Sequence, residues 1–334
     1  MEKSIRDVFN HTILDRAIQI YQLNPTKTKL LDGFESFIFD VHKDGLDLIL
    51  RIGHNSRRTP ELVQGESEFL NHLARGGLSV PQVWPSANGR LVEQIPTRDG
   101  SHFLLALTED KKGHPPSSDD WGPPLFRSMG VFMGKLHRLS RGFNPSTPQF
   151  KRYDIEQDFD EMYQTGRRHL PAADQPILQA YLDTVEEIRR LPKSPESYGL
   201  CHVDFHRGNF FLTRKGEITL FDFDDCQYAW FIYDIAMALF YAISHNCTTP
   251  DKLGEAKQFL SEFWHGYQDE NRLHTSWLAA IPHFLRLREI DLYMIIHRSM
   301  DTNHYDPWCA SFMQDRRDKI LGNIPYCGLD FTDI

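Results

Sequence analysis

The first part of the chain has a pattern of apolar and polar positions that predicts a small sheet with two helices. Apolar residues recur at helical spacing before Pro25 and again after Glu61. Between these two segments the residues alternate as they do in strands, and Asp44-Gly45 is a hairpin signal. The predicted elements are a helix over Ile5–Tyr21, strands at 30–31, 37–41 and 48–52, a helix over Glu61–Ala74, and a hairpin over Arg90–Ile95 and His102–Leu107.

Most of the chain after residue 108 has apolar residues at helical spacing instead. A polar segment rich in Pro and Gly, 109–124, predicts the connection to this second part. Residues 199–238 are the exception, because two short apolar strands flank a turn at Lys215-Gly216 before a helix. The predicted helices are Leu125–Ser140, Asp154–Tyr163, Pro176–Leu191, 253–270, 275–280 and 281–299. The sequence therefore predicts an α+β fold, with an antiparallel sheet first and a mainly helical part second.

Polar residues with possible chemistry concentrate in the segment 199–238. His202, Asp204 and Asn209 lie on the loop before its first strand, and Asp222 ends its second strand. Phosphoryl transfer needs a carboxylate that orients and deprotonates the attacking hydroxyl, and oxygen ligands that hold Mg²⁺ against the nucleotide phosphates. The spacing His-x-Asp-x-x-x-x-Asn is that of the kinase catalytic loop. Asp and Asn are also ordinary turn residues, but the apolar strand that runs into Asp222 and the acid Asp234 in the next apolar helix favour catalysis.

Three short segments resemble the aminoglycoside phosphotransferase and choline kinase-like family, namely His202–Asn209, Phe221–Asp225 and Tyr233–Ala236. The family also includes type II homoserine, methylthioribose and fructosamine kinases and the bacterial stress-response protein kinases. A weaker resemblance extends from Leu30 to Asp330. The resemblance implies a two-lobed protein-kinase-like fold, with an N-terminal nucleotide-binding lobe over 1–107 and a catalytic and acceptor-binding lobe over 108–334.

The resemblance also implies an ion pair in the N-terminal lobe. Arg51 ends the third strand, where kinases usually have a lysine that meets the α- and β-phosphates. Arginine is always charged and binds phosphate in a bidentate way, so the replacement preserves the charge. Glu66 and Glu68 are both possible partners of Arg51, and the family pattern selects Glu66.

Two further nucleotide contacts follow from the family order of elements. Gly33 and Ser36 belong to the turn that lies over the ATP phosphates in the family, although this turn has only one glycine. Leu105 and Leu107 lie at the lobe connection, where backbone groups would face the adenine.

The catalytic loop and the residues after it complete the predicted site. Asp204 would accept the hydroxyl proton or orient the hydroxyl, and His202 would brace the loop. Asn209 and Asp222 would hold Mg²⁺. Asp234 lies where the family places an acid that bonds backbone groups of the catalytic loop, so we expect it to support the site. The predicted reaction is the ATP-dependent phosphorylation of a hydroxyl.

The overall composition argues against binding to nucleic acid or to a membrane surface. The 334 residues carry a formal net charge of −9, whereas such surfaces favour a basic face. There is no apolar run long enough for a transmembrane helix, and the N-terminus has no apolar signal core. Five cysteines occur without a C-x-x-C pair, which indicates reduced thiols. We therefore expect a cytoplasmic protein that binds neither nucleic acid nor a membrane. We also expect a monomer or a homodimer, although the sequence itself does not determine the oligomeric state.

The short segment between Asp222 and Asp234 has no room for the activation segment on which protein kinases dock peptides. This favours a small-molecule acceptor such as an amino alcohol, a sugar or a hydroxy amino acid. The alternatives are a protein Ser/Thr kinase of the bacterial stress-response type, which also lacks that segment, or a non-catalytic binding protein with the kinase fold. Arg286, Arg288 and His297 are candidates for an acceptor pocket.

Overall fold

The computed structural model describes residues 3–31, 33, 36–243, 249–300 and 305–334. The chain forms two compact units. Unit 1 consists of Met1–His114, Gly142–Arg152 and Phe211–Asp224, and unit 2 consists of Pro115–Arg141, Tyr153–Phe210 and Asp225–Ile334. The assignment of a nucleotide role to 1–107 and an acceptor role to 108–334 stays a prediction.

The helices and strands follow in chain order. The helices are α1 Lys3–Val8, α2 His11–Tyr21, α3 Pro60–Arg75, α4 Pro123–Ser140, α5 Ile155–His169, α6 Ile177–Arg189, α7 Phe231–Ala242, α8 Pro250–Glu270, α9 Ile281–Ser299, α10 Pro307–Met313 and α11 Arg316–Leu321. The strands are β1 Lys29–Leu31, β2 Phe37–Lys43, β3 Leu46–His54, β4 Val83–Trp84, β5 Val92–Pro96, β6 His102–Glu109, β7 Tyr198–Cys201, β8 Phe210–Leu212, β9 Ile218–Leu220 and β10 Gln227–Trp230.

Unit 1 is built on an antiparallel sheet in the order β1-β2-β3-β6-β4, with β5 also paired to β6. The predicted hairpin turn between β2 and β3 is confirmed, because Asp44 and Gly45 both have positive φ, 51° and 82°, as a tight turn between twisted strands requires. Apolar side chains of α2 pack on the sheet in one buried cluster, which includes Ala17, Tyr21 and Leu50. The sheet is therefore fixed by a helix that the sequence pattern also predicts.

The prediction of one helix over Ile5–Tyr21 is wrong at one point. The chain forms two helices, and Asn10 caps the second by accepting a hydrogen bond from the Thr12 backbone N–H at 3.0 Å. Asn10 has extended backbone angles, and asparagine is among the preferred residues for the N-cap. A favourable cap thus interrupts a continuous apolar pattern.

Unit 2 is mainly helical, and its helices α4 and α8 approach each other closely at glycines. A Cβ atom at Gly130 would lie 1.9 Å from the carbonyl oxygen of Phe263, and one at Gly134 would lie 2.6 Å from that of Tyr267. Small residues are therefore required at this contact. The apolar helix α7 follows the pair β7–β10, which is antiparallel, and its residues Phe231 to Phe240 are buried.

These elements confirm the predicted α+β class with a sheet in the N-terminal part and helices in the C-terminal part. The pair β7–β10 was not predicted. Among the described helices, none is both long and apolar enough to cross a membrane.

Candidate active site

The predicted catalytic loop lies in unit 2 between β7 and β8. Two backbone hydrogen bonds fold it, from the His206 N–H to the Asp204 carbonyl at 3.0 Å and from the Asn209 N–H to the His206 carbonyl at 2.9 Å. Phe205, a residue of this loop, is fully buried. Val203 has φ 64°, a left-handed conformation that is rare and strained for a β-branched residue. Strain of this kind persists only where surrounding contacts impose it.

The contacts that impose it come from Asp234 on α7. Its carboxylate accepts hydrogen bonds from the backbone N–H groups of His202 at 2.8 Å and Val203 at 2.5 Å. Nε2 of His137 lies 2.9 Å from the same carboxylate, and Nδ1 of His137 lies 2.9 Å from the Tyr267 hydroxyl. Burial lowers the pKa of His137, despite the opposing effect of Asp234. One fully buried acid thus connects three helices to the start of the loop.

Asp204 is surrounded by groups that keep its carboxylate ionised. Burial raises the pKa of Asp204, but a hydrogen bond from His206 and the charge of Arg288 outweigh this and lower it to about 2. Nε2 of His206 lies 3.3 Å from Oδ2, and Nη2 of Arg288 lies 3.6 Å from Oδ1. Arg288 was a candidate for an acceptor pocket, whereas His206 belonged to the quoted motif and received no role.

Asn209 has a geometry that fits the predicted metal role. Its side-chain N–H₂ group donates to the Asp204 carbonyl at 3.0 Å and to Asp204 Oδ2 at 2.9 Å. The amide oxygen of Asn209 therefore faces away from Asp204. Oδ1 of Asp204 is buried and accepts no hydrogen bond in the described part of the chain. Amide and carboxylate oxygens are the ligands that Mg²⁺ prefers, so this donor set fits a magnesium ion.

Unit 1 contains the other predicted groups, and Arg51 is the central one. Nη2 of Arg51 lies 2.5 Å from Oε2 of Glu66, a residue that is 3% exposed. Nη1 of Arg51 lies 3.5 Å from Oδ1 of Asp224. Burial by itself would lower the pKa of Arg51, but Glu66 and Asp224 raise it above its ordinary value. The guanidinium is therefore a permanent positive charge held between two acids.

Asp224 interacts with several arginines besides Arg51, and the sequence analysis did not predict these contacts. Arg57 donates to Oδ2 of Asp224 from Nε at 3.0 Å and from Nη2 at 2.7 Å, and Nη2 of Arg58 lies 3.4 Å from the same oxygen. Nη2 of Arg152 donates to the Asp224 carbonyl at 2.5 Å. Burial would raise the pKa of Asp224, but Arg51, Arg58 and Arg57 hold it well below its usual range. Positive charge exceeds negative charge in this cluster, which suits a polyanion such as a triphosphate.

Asp222 lies two residues before Asp224 and follows β9. It is exposed and has φ 63°, so it shares with Val203 a left-handed backbone conformation that is uncommon for residues other than glycine. Its charge contributes to the raised pKa of Arg51.

The predicted phosphate turn is only partly described, because Phe34 and Glu35 lie outside the described residues. A Cβ atom at Gly33 would lie 2.3 Å from the Ser36 carbonyl oxygen, so the turn requires glycine there. Ser36 and Arg51 line the same small pocket, together with Arg57 and Arg58.

Leu105 and Leu107 both lie within β6, which extends to Glu109. Leu105 pairs with Ile52 and Leu107 pairs with Leu50. The carbonyl of Leu105 accepts a hydrogen bond from the Tyr21 hydroxyl at 3.0 Å. Their role towards adenine stays a prediction.

The remaining two pocket candidates have partners of their own in unit 2. Arg286 donates to the Ile320 carbonyl at 3.0 Å. His297 lies 3.7 Å from Asp174 Oδ2, and burial lowers the pKa of His297. The side chains of Arg286 and His297 therefore contact other residues of unit 2.

This chain belongs to the phosphotransferase enzyme family, whose model matches residues 28–277. The family resemblance and the kinase-like fold that we predicted are therefore confirmed, and the chain is a phosphotransferase. Kinases of this family use ATP with a divalent metal ion, in agreement with the predicted cofactors.

Individual relatives match nearly the whole chain. It is 35% identical over 335 residues to the amicoumacin kinase of Bacillus subtilis (strain 168), covering 99% of this chain and 98% of that protein. The solved structure of the amicoumacin kinase hAmiN, in complex with AMP-PNP, Ca²⁺ and Ami, is 30% identical with a TM-score of 0.92, covering 100% and 99% of the two chains. A microcompartment-associated aminopropanol kinase is 21% identical with a TM-score of 0.73, covering 96% and 100%, and shows the same fold.

Proposed function

We propose that this protein transfers the terminal phosphoryl group of ATP to a hydroxyl of amicoumacin or of a similar small molecule. The observation that carries the proposal is the 35% identity to amicoumacin kinase along almost the full length of both chains. The family model ends at residue 277, whereas this similarity continues through the last helices. Regions outside the shared catalytic motifs therefore also resemble those of a kinase that acts on amicoumacin.

In this proposal the residues of unit 2 act on the acceptor. A carboxylate with a pKa of about 2 is a weak base. Asp204 therefore mainly orients the hydroxyl, and it accepts the proton late, when bonding to phosphorus has made that proton acidic. Asp234 and His202 hold the loop that carries Asp204. Asn209 would supply an amide oxygen to the metal ion.

The residues of unit 1 act on the nucleotide. When bound, ATP with a divalent ion supplies the phosphoryl group and the charge that stabilises its transfer. Arg51, Arg57 and Arg58 provide guanidinium groups for the phosphates, and Glu66 fixes the position of Arg51. Asp222 would supply a carboxylate ligand to the metal ion, and Gly33 and Ser36 would offer backbone groups to the phosphates.

The test is a reaction of the purified protein with ATP, Mg²⁺ and amicoumacin, analysed by mass spectrometry. We expect a product heavier by one phosphoryl group, formed by the wild type and not by Asp204→Ala. Asp160→Ala is the matched control, because Asp160 is an exposed acid on α5 and should keep activity.

Parallel reactions contain amino alcohols, sugars, hydroxy amino acids and an unstructured Ser-rich protein. Phosphorylation of the protein alone would overturn the proposal in favour of a protein kinase. ATP binding without transfer to any of these acceptors would favour a non-catalytic role.

A further inference from the structure

The catalytic loop contains a second histidine, His206, besides the bracing His202. Nε2 of His206 lies 3.3 Å from Oδ2 of Asp204, which is slightly longer than a typical hydrogen bond. Hydrogen bonds of catalytic groups are often long before the substrate is bound and shorten afterwards. A ring nitrogen of His206 is therefore placed to contact the carboxylate that faces the acceptor.

The other ring nitrogen of His206 determines where the imidazole proton lies. Nδ1 accepts a hydrogen bond from the backbone N–H of Gly208 at 3.0 Å. A backbone N–H can only donate, so Nδ1 carries no proton and the imidazole proton is on Nε2. The N–H group at Nε2 is therefore available to donate to Oδ2 of Asp204.

Neighbouring residues hold the imidazole in this orientation. The ring of Tyr241 lies 4.9 Å from the ring of His206, measured between centroids, and the Tyr241 hydroxyl accepts a hydrogen bond from Nε of Arg288 at 3.2 Å. A Cβ atom at position 208 would lie 2.8 Å from Cε1 and 3.0 Å from Nδ1 of His206. The close approach of the imidazole to the loop backbone therefore depends on Gly208.

The two carboxylate oxygens of Asp204 differ in their contacts. Oδ2 accepts a hydrogen bond from the side-chain N–H₂ group of Asn209 at 2.9 Å and also faces His206. Oδ1 is buried and accepts no hydrogen bond from any residue in the described ranges, since Nη2 of Arg288 lies 3.6 Å away. A buried acceptor without a donor is costly, and the hydroxyl of an acceptor molecule supplies a donor. Oδ1 is therefore the oxygen left for that hydroxyl.

We propose that His206 is a positioning residue that, together with Asn209, holds Oδ2 of Asp204 and leaves Oδ1 to receive the acceptor hydroxyl. The inference rests on the proposed phosphoryl transfer to a hydroxyl. In that reaction the hydroxyl oxygen bonds to the terminal phosphorus of ATP, the bond between this phosphorus and ADP breaks, and the hydroxyl proton passes to Oδ1. Because the donor at Nε2 restrains rotation of the carboxylate, its loss should lower kcat and leave KM for ATP unchanged.

Two substitutions separate the roles of the two ring nitrogens. In His206→Gln the side-chain amide extends as far as Nε2 and can still donate to Asp204. In His206→Asn the amide extends only as far as Nδ1 and can still accept from the Gly208 N–H. With Mg²⁺, ATP and amicoumacin, we expect His206→Asn to lower kcat roughly 10- to 100-fold, the rate equivalent of one hydrogen bond to a charged group. His206→Gln should restore most of kcat, and His265→Asn at an exposed histidine of α8 is the control.

The opposite order, with kcat kept in His206→Asn and lost in His206→Gln, would show that His206 only shapes the loop through Gly208, and it would overturn the inference. Equal losses in the two variants would overturn it as well. Gly208→Ala gives a second test, because its Cβ atom displaces the imidazole. It should lower kcat in the wild type and have little further effect in His206→Asn, whereas independent losses would contradict the inference.

A measurement without any acceptor keeps this inference separate from the proposed function. Long-range ¹H–¹⁵N NMR of the protein labelled at histidine shows which ring nitrogen carries the proton, and His206→Asn identifies the signals of His206 by their absence. We expect the proton on Nε2, and a proton on Nδ1 would overturn the inference. A wild type that phosphorylates none of the offered acceptors would refute the proposed function instead, and the tautomer would then decide whether His206 can hold Asp204.

Discussion

The brace formed by Asp234 makes a quantitative prediction for Asp234→Asn. The substitution keeps the shape of the side chain but replaces one acceptor oxygen by a donor N–H₂ group. Oδ2 faces the His202 N–H and His137, and Oδ1 faces the Val203 N–H. Whichever oxygen is replaced, at least one buried backbone N–H then meets a donor.

The magnitude follows from the contacts that are lost. A buried hydrogen bond to a charged group contributes about 1.5–3 kcal/mol, and the remaining bond is weakened because the acceptor becomes neutral. We therefore expect the free energy of unfolding to fall by about 2–4 kcal/mol. Val203 stores about 1–3 kcal/mol of backbone strain, so the loop also relaxes, and a displacement of Asp204 by about 1 Å costs about 100-fold in kcat.

Urea unfolding gives the stability change from the midpoint at a constant slope, and steady-state kinetics give kcat and KM. Asp160→Asn makes the same charge change at an exposed position and should leave both unchanged. A free energy of unfolding for Asp234→Asn within about 0.5 kcal/mol of the wild-type value would refute this prediction. If stability falls while kcat is retained, Asp234 stabilises the unit without positioning Asp204.

Three further predictions concern other parts of the molecule. Arg51→Lys keeps the charge, but a single nitrogen must then contact both Glu66 and Asp224. We therefore expect KM for ATP to rise about 10-fold. An unchanged affinity for ATP, measured by calorimetry, would contradict this prediction. Gly130→Ala places a Cβ atom 1.9 Å from a carbonyl oxygen, so the free energy of unfolding, measured in urea, should fall by about 3 kcal/mol. Gly254→Ala on α8 is the control, because nothing lies within 4 Å of a Cβ atom there, and it should leave the stability unchanged or raise it. The pKa of Asp204 is lowered to about 2, so its contribution to stability is complete above about pH 4 and is lost as the pH falls towards 2. Acid titration of unfolding should therefore show a smaller pH dependence in that range for Asp204→Asn, and equal slopes would show that Asp204 has an ordinary pKa.

The parts of the site that the residues predicted without the family resemblance are those whose spacing is local. His202, Asp204 and Asn209 lie on one loop, so their order in the chain already places them together. The hairpin at Asp44-Gly45 is local in the same sense. The helix break at Asn10 was missed because a capping side chain competes with an apolar pattern that continues past it.

Contacts between distant parts of the chain were predicted only where the family resemblance supplied them, as for Arg51 with Glu66 and for Asp234 with the backbone of the catalytic loop. The bond between Arg57 and Asp224 joins residues 167 positions apart, and no periodic pattern relates them. β7 and β10 pair across the whole catalytic hairpin, and each strand has only four residues. Oδ1 of Asp291 is buried and has no hydrogen-bond partner within the described ranges, and this too depends on how α9 packs.

The contact between Arg51 and Asp224 gives a physical reason for an arginine, instead of a lysine, at position 51. A lysine presents its three donors from a single nitrogen, whereas a guanidinium presents its donors from three separate nitrogens in one plane. The planar guanidinium of Arg51 has separate nitrogens, one 2.5 Å from Glu66 and another 3.5 Å from Asp224. Because Arg57 and Arg58 also reach Asp224, that acid remains ionised and spaces three positive charges around one point. An arginine at position 51 therefore suits a cluster with two acids, because each acid faces a different nitrogen of its guanidinium.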